Sequence, residues 1–83
     1  MGLTVERQVP IAVKYRDLTF DDAFRVDLFV EGQIVVELKS VEELIPVHEA
    51  QVLTYLKLTG KRIGLLINFN VPVLKDGLQR IIL

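Results

Sequence analysis

Asp27, Glu37 and Lys39 interrupt two strongly apolar strand candidates that meet at a glycine-containing turn between Phe24 and Lys39. Burying a lone carboxylate costs several kcal/mol, so such groups are normally exposed, paired or bound to a metal. The stretch folds back on itself at Gly32. A three-residue loop, Glu31-Gly32-Gln33, pairs Val30 with Ile34, with Gly32 in the left-handed conformation. In that register Asp27 lies opposite Glu37, and Arg25 opposite Lys39. Two facing carboxylates repel and need a cation between them. Lys39 could be that cation, but a divalent metal satisfies both oxygen sets better.

The register decides the chemistry. Residues two apart share a strand face. The longer loop therefore gathers Arg25, Asp27, Phe29, Val35, Glu37 and Lys39 on one side. Val26, Leu28, Val30, Ile34, Val36 and Leu38 form the other, wholly aliphatic side. A two-residue loop of Glu31-Gly32 would instead pair Asp27 with Val36 and separate the carboxylates. The longer loop is favoured because it alone yields one purely apolar face. An ordinary hairpin with a solvated charged face is the competing reading.

The next segment supplies more polar groups. Ser40 and Glu43 have the spacing of a capping box. Pro46 suits the first position of the main helix, and Gly60 suits its end after about Thr59. Lys57, Lys61 and Arg62 stand favourably near the negative end of that helix. At ~100° per residue, His48, Gln51 and Tyr55 fall on one side, flanked by Val47, Val52, Leu58 and Thr59. Glu49, Leu53 and Lys57 fall opposite. The competing reading makes His48 and Tyr55 amphipathic residues at the core's edge, with wet polar tips.

Together these residues resemble the PD-(D/E)XK nuclease superfamily, in the branch with a Gln-x-x-x-Tyr motif: Asp27, then Glu37-Leu38-Lys39, then Gln51 to Tyr55 on a helix. The stretches Val36 to Lys39, Pro46 to Leu58 and Gly64 to Gly77 are similar to the small bacterial GxxExxY proteins. The likeness covers essentially the whole chain. The family's Gly-x-x-Glu-x-x-Tyr helix, which precedes the first strand, has no counterpart here. The expectation is therefore a truncated restriction-endonuclease-like core lacking that helix. The resemblance implies Mg²⁺ or Mn²⁺ held by Asp27, Glu37 and the backbone carbonyl of Leu38. It implies Lys39 as a compact charge at the reacting phosphate, with Gln51 and Tyr55 positioning substrate or nucleophile. His48 would stand behind them.

The rest of the chain frames this site. Val9, Ile11, Val13 and Tyr15 alternate with Pro10, Ala12 and Lys14, which predicts a first strand, with Pro10 at an edge or bulge. Arg16 to Asp22 reads as a polar turn. Its Asp17, Asp21 and Asp22 could bind metal, but clustered turn aspartates more often make local hydrogen bonds. Arg62 to Asn68 reads as a buried strand parallel to the hairpin's second strand, reached through a helical crossover. Asn68 to Pro72 is a loop, and Leu78 to Leu83 is a last short strand. The fold class is α/β (α+β), with a small mixed sheet and one main helix in a single domain over residues 1–83.

Composition narrows the function further. In 83 residues, 51% are hydrophobic, yet no apolar run reaches the about 18 residues of a membrane span. The opening residues carry Glu6 and Arg7 without the apolar segment of an export signal. The absence of cysteine excludes disulfides and cysteine–zinc sites, and suits a cytoplasmic protein. A net charge of −1 gives no global attraction for nucleic acid. Two function classes compete: a metal-dependent nuclease acting on DNA, with RNA as the alternative, and an inactive nuclease-fold binding or assembly module. A gene remnant without function is a weaker third. The aliphatic face, at roughly 1.5–3 kcal/mol per side chain, predicts a homo-oligomer, most simply a dimer.

Overall fold

A computed structural model describes the backbone of residues 2–15 and 18–83, and the side chains of residues 2–11 and 24–83. Five strands form one sheet: β1 (Val5–Tyr15), β2 (Leu18–Val30), β3 (Ile34–Lys39), β4 (Ile63–Asn68) and β5 (Leu78–Ile82). Helix α1 (Pro46–Thr59) lies between β3 and β4, and a short 3₁₀ turn at Leu74–Gly77 precedes β5. Spatial order follows chain order. Only β3 and β4 run parallel; the other neighbours are antiparallel. This is the small mixed α+β architecture expected from the sequence.

The β2–β3 hairpin closes with Val30 opposite Ile34, so the loop has three residues. Both Glu31 and Gly32 take left-handed backbone angles, φ 55° and 61°. Glycine adopts this region freely, but glutamate does so at a steric cost. Thr4 holds Glu31 in place: the Glu31 amide donates to the Thr4 carbonyl at 2.7 Å, and the Thr4 amide donates to Glu31 Oε1 at 2.9 Å.

Helix α1 begins with Pro46 at its first position, where a missing N–H costs nothing. The cap is Ile45 rather than Ser40, because Pro46 fixes the start six residues after that serine. His48 Nδ1 accepts the Ile45 amide at 3.0 Å, so the reciprocal capping contact expected of Glu43 is made by His48 at the actual helix start. Gly60 ends the helix at φ 71°, and the Lys61 amide donates back to the Leu56 carbonyl at 3.1 Å.

The helix packs on the sheet face containing Val35, Gly64 and Leu66. Gly64 is the point of closest approach: a Cβ there would sit 2.5 Å from Val52 Cγ1. Val26, Phe29, Val35, Val52, Tyr55, Leu56 and Leu66 form the centre of the core. Val52, Tyr55 and Leu56 are the buried helix residues, whereas Val47 and Leu58, expected beside them, are exposed. Leu53, expected on the outer side, packs against the core's margin.

Two further expectations are corrected. β2 begins at Leu18 and pairs with β1 through Tyr15↔Leu18 and Lys14↔Thr19, so Leu18 to Asp22 is strand rather than turn. Arg16 and Asp17 lie outside the described residues, as do the side chains of Asp21 and Asp22. Second, the β2–β3 ladder stops at Leu28↔Val36, so Arg25 does not pair with Lys39. Arg25 pairs instead with Pro10 of β1. Val26, assigned by simple alternation to the aliphatic side, joins Phe29 in the helix-side core. Strict two-residue alternation would separate these residues; between them β2 passes Gln8 of β1, whose φ is 50°.

The opposite sheet face is largely aliphatic across three strands, with Arg80 a charged exception. Ile34, Val36 and Leu38 lie beside Ile63, Leu65 and Ile67, which lie beside Ile82, Arg80 and Leu78. α1 contacts β3, β4, β5 and β1 on the other side.

Candidate active site

The interruption of the β2–β3 ladder is made by the two carboxylates. The Asp27 amide donates to Glu37 Oε1 at 3.2 Å, and the Leu38 amide donates to Asp27 Oδ2 at 2.9 Å. Each carboxylate thus accepts from the partner strand's backbone, in place of the regular carbonyl of an antiparallel ladder. The exchange holds Asp27 and Glu37 together at the point where the strands part.

Glu37 is 3% exposed. Burial is the main cause that pushes its carboxyl up to about 7 from 4.5; the Asp27 amide opposes the shift, the Asp27 charge adds to it and the Lys39 charge subtracts from it. Near neutrality the pair therefore carries a proton or needs more positive charge than Lys39 provides. Lys39, half-buried, lies opposite Asn68 at the end of β3.

From α1, Gln51 Nε2 donates to the Tyr55 hydroxyl at 3.1 Å. Tyr55 is buried, and the Phe24 ring meets it edge-on with centroids 5.9 Å apart and planes at 75°. Burial raises the Tyr55 pKa; the Gln51 hydrogen bond opposes the rise, and the charges of Glu37 and Asp27 add to it. Tyr55 therefore shares an electrostatic environment with the carboxylates. A shallow apolar recess beside it is lined by Phe24, Val47, Ala50 and Thr54 together with Gln51 and Tyr55. His48 is not part of this arrangement; its imidazole is committed to the helix cap.

Three other residues bear on the site. Asn68, 2% exposed, clasps the segment leaving β3: its Oδ1 accepts the Val41 amide at 3.1 Å and its Nδ2 donates to the Val41 carbonyl at 2.9 Å. The Asn-x-Asn pair at the end of β4 was the available signal, since such side chains bond nearby backbone. Gln8 stands across from Asp27 on β1, with φ 50°. A non-glycine residue there costs on the order of 1–2 kcal/mol. Its Nε2 donates to Asp27 Oδ1 at 3.5 Å, while Arg25 NH1 donates to its carbonyl at 3.2 Å. Nothing in the sequence singles out Gln8. Arg7, Gln8, Asp27, Leu28 and Leu38 line a second recess.

Two carboxylates and a neighbouring carbonyl are hard oxygen donors of the kind Mg²⁺ takes. That ion commonly uses one or two protein carboxylates and keeps its remaining sites for water and phosphate. Glu37's resistance to ionisation fits a group awaiting a cation. Among the described residues no group of three or more His, Cys, Asp or Glu side chains could hold a metal by itself. No helix of the described residues is long and apolar enough to cross a membrane.

Neither a search of curated proteins nor one of solved structures returned a match. A family model does match, over residues 1–81, and that span contains the paired carboxylates, Lys39 and the Gln51–Tyr55 helix: the chain belongs to the PD-(D/E)XK nuclease superfamily.

Proposed function

We propose that this chain is a metal-dependent nuclease that hydrolyses phosphodiester bonds of DNA, with RNA as the alternative substrate. The observation that carries the reading is the reciprocal bonding of Asp27 and Glu37 across the parted strands, with Glu37 buried and reluctant to ionise. Asp27, Glu37 and the Leu38 carbonyl would hold Mg²⁺ or Mn²⁺. Such an ion supplies an activated water and offsets charge on the scissile phosphate. Lys39 stabilises negative charge developing at the phosphate oxygens, as a compact cation placed next to the pair. Gln51 fixes the direction of the Tyr55 hydroxyl, and the two position substrate from the helix. The closer likeness to GxxExxY proteins rests on the Val36–Lys39, Pro46–Leu58 and Gly64–Gly77 stretches, and a cytoplasmic setting on the lack of cysteine.

Calorimetric titration with Mn²⁺ tests the site without a substrate. One equivalent or two should bind to the chain, and the Asp27→Asn, Glu37→Gln double variant should bind none. Equal heats from both proteins would refute the assignment. A plasmid-nicking assay with the same pair then reads the activity.

A second reading is an inactive nuclease-fold assembly module that self-associates. The observation favouring it is the aliphatic sheet face, where Ile63, Leu78 and Ile82 are exposed. A homodimer would bury that face. Light scattering coupled to size exclusion at micromolar concentration decides this point: a clean 9.4 kDa species excludes self-association.

A further inference from the structure

Gln8 lies outside every motif of the chain, yet three observations converge on it. Its backbone occupies the left-handed region in the middle of a strand. Its carboxamide donates to Asp27 Oδ1, and its carbonyl accepts from Arg25. Strain of this kind persists only where the surroundings over-determine it, and it gathers at functional sites.

The other oxygen of Asp27 is already held by the Leu38 amide at 2.9 Å. With the Gln8 carboxamide 3.5 Å from Oδ1, both oxygens face donors from opposite neighbours, β1 on one side and β3 on the other. A carboxylate held at one oxygen can still rotate about its last torsion; a donor at the second oxygen biases that torsion toward one orientation. We infer that Gln8 is a positioning residue, which aims the Asp27 carboxylate from a strained point of β1. The inference rests on the nuclease reading for its purpose and on the hydrogen bonds for its geometry. Outer groups that orient metal-binding side chains typically contribute 10–100-fold in metal affinity.

The test uses two variants of the full chain. Gln8→Gly removes the carboxamide and the strain together. Gln8→Ala removes the carboxamide and keeps the strain, so it should melt below Gln8→Gly. If Gln8 positions Asp27, both variants weaken Mn²⁺ binding to a similar extent, on the order of 10-fold, despite their different melting temperatures. In the metal-free protein, both also shift the Leu38 amide proton toward its position in Asp27→Asn. A purely structural role would make affinity follow stability, leaving Gln8→Gly equal to the parent, and that result overturns the inference. If the parent binds no Mn²⁺, the nuclease reading fails by itself. The Leu38 amide then decides: a resonance unmoved in both variants overturns the inference, and a shifted one upholds the positioning contact.

Discussion

The two faces of β3 contrast sharply. On one side stand Val35 and Glu37, both buried, with Val35 in the core beneath α1. On the other stand Ile34, Val36 and Leu38, continuous with the aliphatic rows of β4 and β5. Hydrophobicity alone would send the helix to the second face. It lies instead on the face that carries a buried carboxylate. A face with one glycine and interleaved polar groups admits a close helix, because Gly64 leaves room for Val52 and Leu56. Hydrogen bonding satisfies the polar groups that are enclosed; among the described residues no buried side-chain nitrogen or oxygen lacks a partner. The opposite face, apolar apart from Arg80, lacks such a close approach.

Truncating a residue on each face measures how unequal they are. The largest loss should come from Leu56→Ala, since Leu56 is fully buried. About 3–4 kcal/mol is expected, read by chemical denaturation. A loss below 1 kcal/mol would mean that the helix is not seated as described.

The charge on the covered face should express itself through pH. Glu37 holds its proton more tightly folded, at about 7, than at its ordinary 4.5. Its contribution to stability is therefore complete below about 4.5 and is lost as pH rises through about 7. Without metal, the folded state should lose on the order of 2 kcal/mol between pH 4.5 and 8, allowing for water near the pair. Glu37→Gln should flatten that part of the profile, and Mn²⁺ should restore stability at pH 8. An unchanged profile in the variant would remove Glu37 as its source.

Gly64→Ala pushes the same helix away. Its new methyl meets Val52 Cγ1, a branched and stiff neighbour, and about 1–2 kcal/mol should be lost. Thermal melts of Gly64→Ala alone and combined with Val52→Ala check the contact, because the second change should recover part of the loss. Smallest of all should be Ile82→Ser on the open face. Ile82 is 61% exposed, and a monomer should lose no more than about 0.5 kcal/mol. A larger loss that grows with protein concentration would instead mark this face as an interface.

The sequence made the regular elements legible where single residues dictate backbone. Pro46 and Gly60 delimit α1, and the loop at Gly32 sets the hairpin register, because each acts through its own allowed angles. The expected register also brings Asp27 and Glu37 near each other. Several features escaped because they depend on partners distant in the chain. Glu31 and Gln8 adopt angles that glutamate and glutamine rarely take, each with hydrogen bonds from another strand beside it. Val26 changes sides because the carboxylates replace the ladder next to it. The segment Leu18 to Asp22 becomes strand because β1 continues far enough to pair with Leu18, Thr19 and Phe20. His48 resembled a site residue because helical spacing aligns it with Gln51 and Tyr55, and only the cap explains its acceptor.

The parallel pairing of β3 with β4 has a consequence for how the site comes into being. Asp27, Glu37, Lys39, Gln51 and Tyr55 are contributed by consecutive elements, and the parallel pair needs only the α1 connection between its strands. The chain closes short loops to bring these groups together, and short closures are entropically cheap and fast. Asn68, at the far end of β4, then clasps Val41 and locks the exit from β3. The order that follows is hairpin and helix first, clasp last. Asn68→Ala abolishes the clasp, and should leave the carboxylates paired while the chain leaving β3 is untied at Val41.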